Sequence, residues 1–291
     1  MRAGARLFAL VASTALLAIL QGIGRFAFPP LARRMPMLYH GWCCRLLGLE
    51  MRQYGEAERD GPVLYVCNHA SYLDVPVLGG VLDAQFVAKA EVAAWPVIGT
   101  LSRLQDTVFI ERRPRNTREH RTELMNLLAN GRKLVLFPEG TSGDGNRVLP
   151  FKSALFSVVD LAVDGDPVKV QPVTVAYSRL DGRPMGRSLR PYFAWYGDMT
   201  LVGHLWTCLG FARPGVDIVY HEPVVLSDFE SRKAMASYCQ AEIARGLSDA
   251  LSGRLGRDSR PSVGSTPKLG SALGVEPGWP LPLALESGRD I

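Results

Sequence analysis

Short apolar runs alternate with helix-length segments along most of this 291-residue chain, and the alternation restricts the possible folds more than any other feature. Short runs rich in Val, Ile, Phe and Tyr and bounded by turn residues are typical of buried strands, whereas the longer segments between them are typical of helices. The predicted strands are residues 63–67, 85–88, 107–111, 133–137, 169–176, 192–196 and 216–221. The predicted helices include residues 71–82, 91–104, 114–130, 152–163 and 229–251. This order of elements predicts an α/β fold with a mixed, largely parallel sheet flanked by helices.

The N-terminal region is apolar enough to associate with a membrane. Residues 7–24 carry no charge and are flanked by arginines, and this length is near the minimum for a helix that spans a bilayer. Residues 35–51 follow as an amphipathic segment suited to a membrane interface. We therefore predict a membrane anchor of one or two helices over residues 1–51, with the sheet beginning only near Val63. The alternatives are a cleaved signal peptide, a helix that enters one leaflet without crossing, and a second segment that simply packs on the domain.

Composition separates the rest of the chain into a folded domain and a tail. Residues 253–291 are rich in Gly, Ser, Pro and Arg and show no periodicity, which predicts a disordered tail. Residues 52–252 then form the folded domain. Within this domain, residues 198–211 are unusually apolar and form either a core helix or a surface that enters a bilayer near the functional site.

Charge and cysteine content limit the partners and the compartment. The formal net charge of +5 favours anionic partners such as a membrane surface or an acidic carrier protein. Nucleic acid is not an expected partner, because the sequence has no helix-turn-helix, zinc-finger or aromatic RNA-binding signature. The five cysteines are an odd number without Cys-x2-Cys spacing. This pattern favours reduced thiols facing the cytosol over disulfides or a zinc site.

Two polar turns follow apolar strands and contain the residue types of acid–base chemistry. His69 comes shortly after the strand at residues 63–67, and Asp74 follows five residues later. Residues 137–141 read Phe-Pro-Glu-Gly-Thr at the end of another predicted strand. Two such turns at the ends of buried strands predict a single site at one edge of the sheet. A carboxylate that orients an imidazole would make His69 a general base.

Helix geometry restricts how the histidine and the aspartate meet. Residues five apart do not share one face of an ideal helix. His69 is therefore expected in the turn before the helix, with Asp74 reaching back to it. Neighbouring Cys67 is interpreted as a buried strand cysteine and not as a nucleophile. No metal is predicted, because His69, Asp74 and Glu139 come from scattered turns without the close spacing of metal ligands.

Four blocks together resemble one known family. They are His69-x4-Asp74, residues 108–112, residues 137–141 and residues 170–173, in this order. Residues 35–250 resemble the glycerolipid acyltransferases, whose best-known members acylate 1-acylglycerol-3-phosphate. The resemblance implies that residues 52–252 are an acyltransferase domain in which His69, oriented by Asp74, takes a proton from an acceptor hydroxyl. It also implies an acyl thioester of acyl carrier protein or coenzyme A as co-substrate, with no cofactor.

The resemblance also implies where the acceptor binds. The matching arginine, Arg112, is expected to hold the polar head of the acceptor, because a guanidinium grips phosphate or carboxylate through two bonds. Glu139 is expected to orient Arg112 or to hold the acceptor. Gly140 allows the backbone to approach a ligand closely, and Thr141 completes this block. Asp106 stands where the family usually has a glycine.

The residues after Thr141 influence the choice of acceptor. Members that act on phosphatidate precursors often continue with arginine, whereas this chain continues with Ser142 and reaches an arginine only at Arg147. With residues 184–187 (Pro-Met-Gly-Arg), this block resembles the subgroup that acylates lyso-ornithine lipid, whose head carries a carboxylate and an amine. The prediction is a lysolipid O-acyltransferase at the cytoplasmic membrane, facing the cytosol and acting on lyso-ornithine lipid.

Three other functions remain as alternatives. One is a 1-acylglycerol-3-phosphate O-acyltransferase that makes phosphatidate. The second is a lipid esterase that uses the same base with water, although the Gly-x-Ser-x-Gly elbow of serine hydrolases is absent from the sequence. The third is a lipid-binding protein without catalysis, against which an intact His69 and Asp74 argue.

Overall fold

Residues 1–110, 117–160, 162–163 and 165–256 are described by the computed structural model of the protein. The strands are β1 (Glu50–Tyr54), β2 (Val63–Cys67), β3 (Gln85–Lys89), β4 (Val108–Ile110), β5 (Leu134–Leu136), β6 (Ala162–Val163), β7 (Asp166–Pro167), β8 (Lys169–Leu180), β9 (Arg183–Pro184) and β10 (Pro214–Tyr220). The α-helices are α1 (Arg2–Ala27), α2 (Pro29–Leu47), α3 (Asp74–Gly79), α4 (Ile98–Leu104), α5 (Thr117–Ala129), α6 (Leu201–Gly210) and α7 (Arg232–Leu251). Short 3-10 helices cover Ala90–Ala94, Ser153–Asp160, Arg190–Tyr192 and Leu226–Asp228.

The main sheet has the strand order β1-β10-β8-β2-β5-β3-β4, with β9 added to β8. Strand β2 pairs in parallel with β5 and β8, and β3 pairs in parallel with β4 and β5. The antiparallel pairs among the described strands of this sheet are β8 with β10 and β8 with β9. The predicted α/β class with a mixed, largely parallel sheet is confirmed. Because β2 and β5 are parallel, both polar turns leave the same edge of the sheet.

Helices cover both faces of the sheet, and the central strand β2 is buried throughout. Its side chains alternate between two apolar clusters, as the period of a strand requires. Val63, Tyr65 and Cys67 pack in the cluster that includes residues of α2, α3 and α6. Leu64 and Val66 pack in the cluster that includes residues of α5, α7 and the 3-10 helix at Ser153–Asp160. A strand buried on both faces explains why this run is continuously apolar.

The two N-terminal helices form a hairpin beside the sheet. Helix α1 is long and apolar enough to cross a membrane, and little of it is buried by the rest of the protein. The hydroxyl oxygens of Thr14 and Tyr39 are 2.8 Å apart and join the two helices. Near the start of α1, the Arg6 guanidinium donates to the backbone oxygens of Leu209 and Ala212, each at 3.2 Å. The hairpin is therefore attached to α6 and to the residues that follow it.

The predicted start of the sheet near Val63 is wrong. Helix α2 ends at Leu47, where Gly48 adopts the left-handed conformation (φ 71°) that favours glycine. Strand β1 begins two residues later, at Glu50, and pairs in parallel with β10. Its alternate residues are exposed, so the strand lacks the continuous apolar run of β2. The segment predicted as anchor, residues 1–51, therefore ends within an edge strand.

Other predicted elements also differ from the structure. Residues 192–196 do not form a strand, because the N–H of Phe193 donates to the Arg190 carbonyl in a turn and that of Trp195 donates to Ala70. The predicted helix at residues 91–104 is divided into a 3-10 helix and α4. The predicted helix at 152–163 is a 3-10 helix followed by β6. Of the predicted tail at residues 253–291, only residues 253–256 are among the described residues.

Candidate active site

The turn between β2 and α3 brings His69 and Asp74 together. The imidazole Nδ1 of His69 lies 2.9 Å from Oδ2 of Asp74. The same oxygen accepts the backbone N–H groups of Ala70 at 2.8 Å and Ser71 at 2.9 Å. The Asp74 side chain has 0% exposure, whereas that of His69 keeps 22%. The buried carboxylate thus stabilises the turn by accepting its backbone N–H groups, while part of the imidazole remains accessible to solvent.

Tyr177 completes the surroundings of the carboxylate. Its hydroxyl donates to Oδ1 of Asp74 at 2.8 Å, and its ring stacks on Phe193 with centroids 5.9 Å apart. Burial first, and then the negative charge of Asp74, hold the pKa of Tyr177 well above its usual range. The phenol is therefore protonated and acts as a donor. Sequence analysis did not identify Tyr177, because it lies in β8 just beyond the predicted strand, 103 residues from Asp74.

Glu139 joins the second polar turn to the first. Its Oε1 accepts the His69 N–H at 2.9 Å, and its Oε2 accepts the Leu149 N–H at 3.2 Å. The residue is 2% exposed. Burial raises the pKa of Glu139 to about 8, although the two N–H groups act in the opposite direction. In this structure Glu139 holds backbone groups of the site and thereby positions the candidate catalytic turn, residues 68–73 between β2 and α3.

Further backbone contacts fix the position of the histidine turn. The N–H of Gly143 donates to the His69 carbonyl at 2.9 Å. The side chain of Asn68 exchanges two hydrogen bonds, both of 2.9 Å, with the backbone of Val175 in β8. The imidazole of His69 stacks on Phe137, with ring centroids 4.2 Å apart. Contacts from several elements restrict both the backbone and the ring of His69.

The other predicted site residues lie in the turn after β5 or outside the described residues. Gly140 is buried with φ of 70°, a conformation that favours glycine. Thr141 is exposed beside it. Arg112 lies outside the described residues, and its predicted contact with the acceptor stays a prediction. Acceptor binding by Glu139, Gly140 and Thr141 also stays a prediction.

The cysteine beside the histidine turn has the character of a core residue. Cys67 is completely buried. Burial, followed by the negative charge of Asp74, holds the pKa of the Cys67 thiol well above its usual range. The thiolate required of a nucleophile is therefore strongly disfavoured. All five cysteines are buried and free of disulfides.

An aromatic wall connects the catalytic turn to α6. The hydroxyl of Tyr72 lies 3.0 Å from Nδ1 of His204, which is a buried residue of α6. The ring of Tyr72 packs edge-on against Trp195, and Trp195 packs edge-on against Trp95. Helix α6 thus contacts the site through the residues between His69 and Asp74.

The chemistry available at this site is base catalysis by an oriented imidazole. With Nδ1 occupied by Asp74, the other ring nitrogen is free to accept a proton in the corresponding tautomer. Among the described residues, Asp74 is the side chain that hydrogen-bonds to the imidazole, and no serine or cysteine side chain does so. The arrangement suits direct attack by a hydroxyl of a bound substrate.

Comparisons with known proteins identify the family to which the chain belongs. A family model described as Acyltransferase matches residues 48–176. A "Lyso-ornithine lipid O-acyltransferase" of Rhizobium meliloti (strain 1021) is 43% identical over 229 residues, covering 76% of this chain and 77% of that protein. A protein with the same description from Brucella abortus (strain 2308) is 42% identical, covering 76% of this chain and 85% of its own. A "1-acyl-sn-glycerol-3-phosphate acyltransferase" of Neisseria gonorrhoeae is 29% identical over 205 residues, covering 70% of this chain and 76% of that protein.

One solved structure has the same fold. The crystal structure of the 1-acyl-sn-glycerophosphate (LPA) acyltransferase PlsC from Thermotoga maritima has a TM-score of 0.60 and 23% identity, covering 86% of this chain and 97% of its own. Fold and relatives together define an α/β acyltransferase. The chain belongs to the acyltransferase family and is an enzyme of that class. The family resemblance of the four sequence blocks is confirmed.

Proposed function

We propose that this enzyme is a membrane-associated lysolipid O-acyltransferase whose acceptor is lyso-ornithine lipid. The observation that carries the acceptor assignment is the difference between relatives. Four relatives described as lyso-ornithine lipid O-acyltransferases are 36–43% identical to this chain. Two described as 1-acyl-sn-glycerol-3-phosphate acyltransferases are 29% identical over a similar share of the chain. The position of His69 beside a fully enclosed carboxylate supports hydroxyl activation in either case.

In the proposed reaction, His69 removes the proton of the acceptor hydroxyl as the oxygen attacks the thioester carbonyl. Asp74 accepts a hydrogen bond from the Nδ1–H group and stabilises the imidazolium that forms. A carbon–oxygen bond forms, the carbon–sulfur bond breaks, and the departing thiolate takes the proton from the imidazolium. The donor is an acyl thioester of acyl carrier protein or coenzyme A. No acyl group is carried by the enzyme.

A location at the cytoplasmic membrane, with the catalytic domain facing the cytosol, is part of the proposal. The support is the length and apolar surface of α1, since acyl thioester donors are cytosolic. Large apolar side chains of α1 are exposed along its length, namely those of Phe8, Val11, Leu16, Ile19, Leu20, Ile23 and Phe26. Such a surface is stable in contact with lipid and unfavourable in water.

The test is a direct competition between acceptors. Full-length protein in detergent receives acyl carrier protein or coenzyme A thioesters with equal amounts of lyso-ornithine lipid and 1-acylglycerol-3-phosphate, and products are identified by mass spectrometry. Ornithine lipid is the expected main product. Predominant phosphatidate would contradict the acceptor assignment and leave the acyltransferase class intact. Free fatty acid formed without any acceptor would indicate an esterase.

A further inference from the structure

Two segments separated in sequence meet beside the catalytic turn. The side chain of Asn146 donates to the Arg187 carbonyl at 3.4 Å, and the Arg190 guanidinium donates to Oδ1 of Asn146 at 3.1 Å. Gly143, three residues before Asn146, donates its N–H to the His69 carbonyl. The segments at residues 142–147 and 184–190 thus form one surface in contact with the turn that holds the general base.

The surface carries charges of both signs. Asp144 is partly buried, whereas Arg147 and Arg187 are exposed. Oδ1 of Asp144 accepts the Asn146 N–H at 3.0 Å. Partial burial acts to raise the pKa of Asp144, but the hydrogen bonds from Asn146 and the charges of Arg147 and Arg187 outweigh it and lower the pKa. The carboxylate is therefore ionised at neutral pH beside two guanidinium groups.

This surface lies against the turn that contains His69. Asp144 directly follows Gly143, and adjacent Cα atoms are about 3.8 Å apart. A methyl group placed on Gly145 would come within 3.7 Å of Cβ of Ala70, so the loop packs directly against the catalytic turn. The loop that carries Asp144 and Arg147 is therefore adjacent to the turn that contains His69.

We propose that Asp144, Arg147 and Arg187 form the subsite for the acceptor's polar head, and that it takes a zwitterionic head with one ammonium and one carboxylate. The inference rests on the proposed function and assigns residues to its acceptor specificity. The ammonium pairs with Asp144, and the carboxylate pairs with the guanidinium groups, which suit a two-oxygen anion. Arg190, tied to Asn146 and the Met185 carbonyl, supports the loop.

The carboxylate of Asp144 makes the subsite less favourable for a phosphate head than the two guanidinium groups alone would be. A phosphomonoester brings its negative charge close to the ionised Asp144 and has no positive group with which to compensate. Specificity between acceptors then comes from repulsion of the wrong head as well as attraction of the right one. A purely basic loop would bind both kinds of head and would not separate them.

The experiment removes one charge from the enzyme and the matching charge from the acceptor. Full-length wild type and Asp144→Asn are compared with lyso-ornithine lipid and with its N-acetylated form, in which the ammonium is replaced by a neutral amide. With lyso-ornithine lipid, Asp144→Asn is expected to raise KM about tenfold or more and to change kcat little, because a charge-assisted hydrogen bond is lost. With the acetylated acceptor, the two enzymes are expected to have equal KM values.

Two further variants complete the design. Arg187→Gln changes an exposed residue and is expected to raise KM for lyso-ornithine lipid while leaving KM unchanged for the acceptor whose carboxylate is a methyl ester. This variant keeps the proposal testable if Asp144→Asn does not fold. Asp83→Asn is the matched control, since Asp83 is exposed just before β3, at the opposite edge of the sheet. Its KM values are expected to equal those of wild type.

The outcomes separate this inference from the proposed function. Equal KM increases for the charged and capped acceptors would assign these residues a purely structural role and overturn the subsite. If wild type acylates lyso-ornithine lipid and both variants have the KM values of wild type, the proposed subsite is also overturned. If wild type acylates 1-acylglycerol-3-phosphate and never lyso-ornithine lipid, the acceptor assignment itself fails, and the subsite fails with it.

Discussion

Both carboxylate oxygens of Asp74 are occupied in the folded protein. Oδ1 accepts the Tyr177 hydroxyl, and Oδ2 contacts the His69 imidazole and two backbone N–H groups. Such enclosure restricts the carboxylate to one orientation. The imidazole of His69 is oriented by the hydrogen bond between its Nδ1 and Asp74, and also by its stacking on Phe137. Orientation of the base is thus a property of residues from three separate parts of the chain.

Removal of the base should abolish most of the transfer activity. His69→Ala is expected to lower kcat by about two to four orders of magnitude, which is the usual contribution of general-base catalysis. Asp74→Asn is expected to have a severe effect as well, because the amide stabilises the imidazolium poorly. Initial rates with lyso-ornithine lipid measure both effects, and the thermal midpoint of His69→Ala shows whether the fold is retained. Near-wild-type turnover in a folded His69→Ala enzyme is incompatible with the proposed mechanism.

Loss of the Tyr177 hydroxyl should move the pH dependence of the reaction. Without this donor, a hydrogen bond no longer compensates part of the negative charge of Asp74. The carboxylate then stabilises the imidazolium of His69 more strongly. In Tyr177→Phe, the rise of kcat/KM with pH is therefore expected to shift to higher pH, with a several-fold loss of rate near neutrality. The comparison is made over the pH range in which wild-type activity rises.

A matched control separates this effect from packing. Tyr65→Phe removes another buried tyrosine hydroxyl, one that donates to the Glu58 carbonyl and has no contact with Asp74. Its pH profile is expected to coincide with that of wild type. If Tyr177→Phe lowers stability and leaves the pH profile unchanged, Tyr177 has only a packing role.

At the scale of residues, sequence analysis found the parts of the site that are close in the chain. The spacing of His69 and Asp74 predicted their contact, because five residues suffice to describe a turn that leads into a helix. Sequence analysis did not identify the backbone partners of Glu139, whose oxygens hold the N–H groups of His69 and Leu149; its predicted contacts with Arg112 and the acceptor stay predictions. Tyr177 and these backbone contacts depend on how strands are arranged in the sheet, which local spacing does not reveal.

The close packing of α2 on α3 requires a glycine at position 79. A methyl group on Gly79 would lie 1.8 Å from Nδ1 of His40, a buried residue of α2. Gly79→Ala is therefore expected to destabilise the protein by about 1–3 kcal/mol or more through overpacking. Thermal or denaturant unfolding measures the change. The matched control is Gly41→Ala in α2, where a methyl group meets nothing within 4 Å; this variant should be neutral or slightly stabilised.

The outcome of this comparison tests the docking of the N-terminal hairpin. If the two variants have equal free energies of unfolding, α2 does not pack on α3 as the structure describes. If only Gly79→Ala is destabilised, the hairpin is part of the folded unit and not merely a tether. The second result is expected because His40 and Cys44 are buried against this part of the domain.

At the scale of elements, strands with continuous apolar character were predicted well and the others were not. Strand β2 was predicted with its observed bounds, because burial on both faces makes every residue apolar. Edge strand β1 was missed, because Glu50 and Arg52 are exposed and interrupt the pattern. The aromatic residues at 192–196 favour a strand by propensity, but tertiary contacts place them in a turn against the catalytic loop.

The whole molecule has exposed apolar surface at several elements that contact one another. The ring of Trp206 on α6 lies at α1, where a methyl group on Gly4 would be 4.0 Å from it. Val202 and Trp206 are 76% and 52% exposed, while His204, Cys208 and Leu209 of the same helix are buried. One side of α6 therefore belongs to the core, as one interpretation of residues 198–211 expected, whereas contact of the exposed side with a bilayer stays a prediction.

Membrane binding should depend mainly on α1 and to a smaller degree on α6. A protein that begins at Met35 lacks α1 and the first six residues of α2. It is expected to lose most of its binding in vesicle flotation, because the exposed apolar surface of α1 has been removed. It should also be less stable, since Arg6 no longer donates to the carbonyls of Leu209 and Ala212. In the full-length protein, Val202→Ser with Trp206→Ser is expected to weaken binding only modestly.

The same flotation assay includes a control variant on a helix outside the proposed membrane surface. Tyr238→Ser changes an exposed aromatic residue of α7, a helix whose buried residues pack on the other face of the sheet, and it should leave binding unchanged. Full binding by the protein that begins at Met35 would place the anchor in α2 or α6. A mature N-terminus located within the first 30 residues of the purified protein would instead establish a cleaved signal peptide. Since Arg6 hydrogen-bonds to Leu209 in α6 and to Ala212 just after it, we expect the N-terminus to be retained, with α1 as a permanent part of the enzyme.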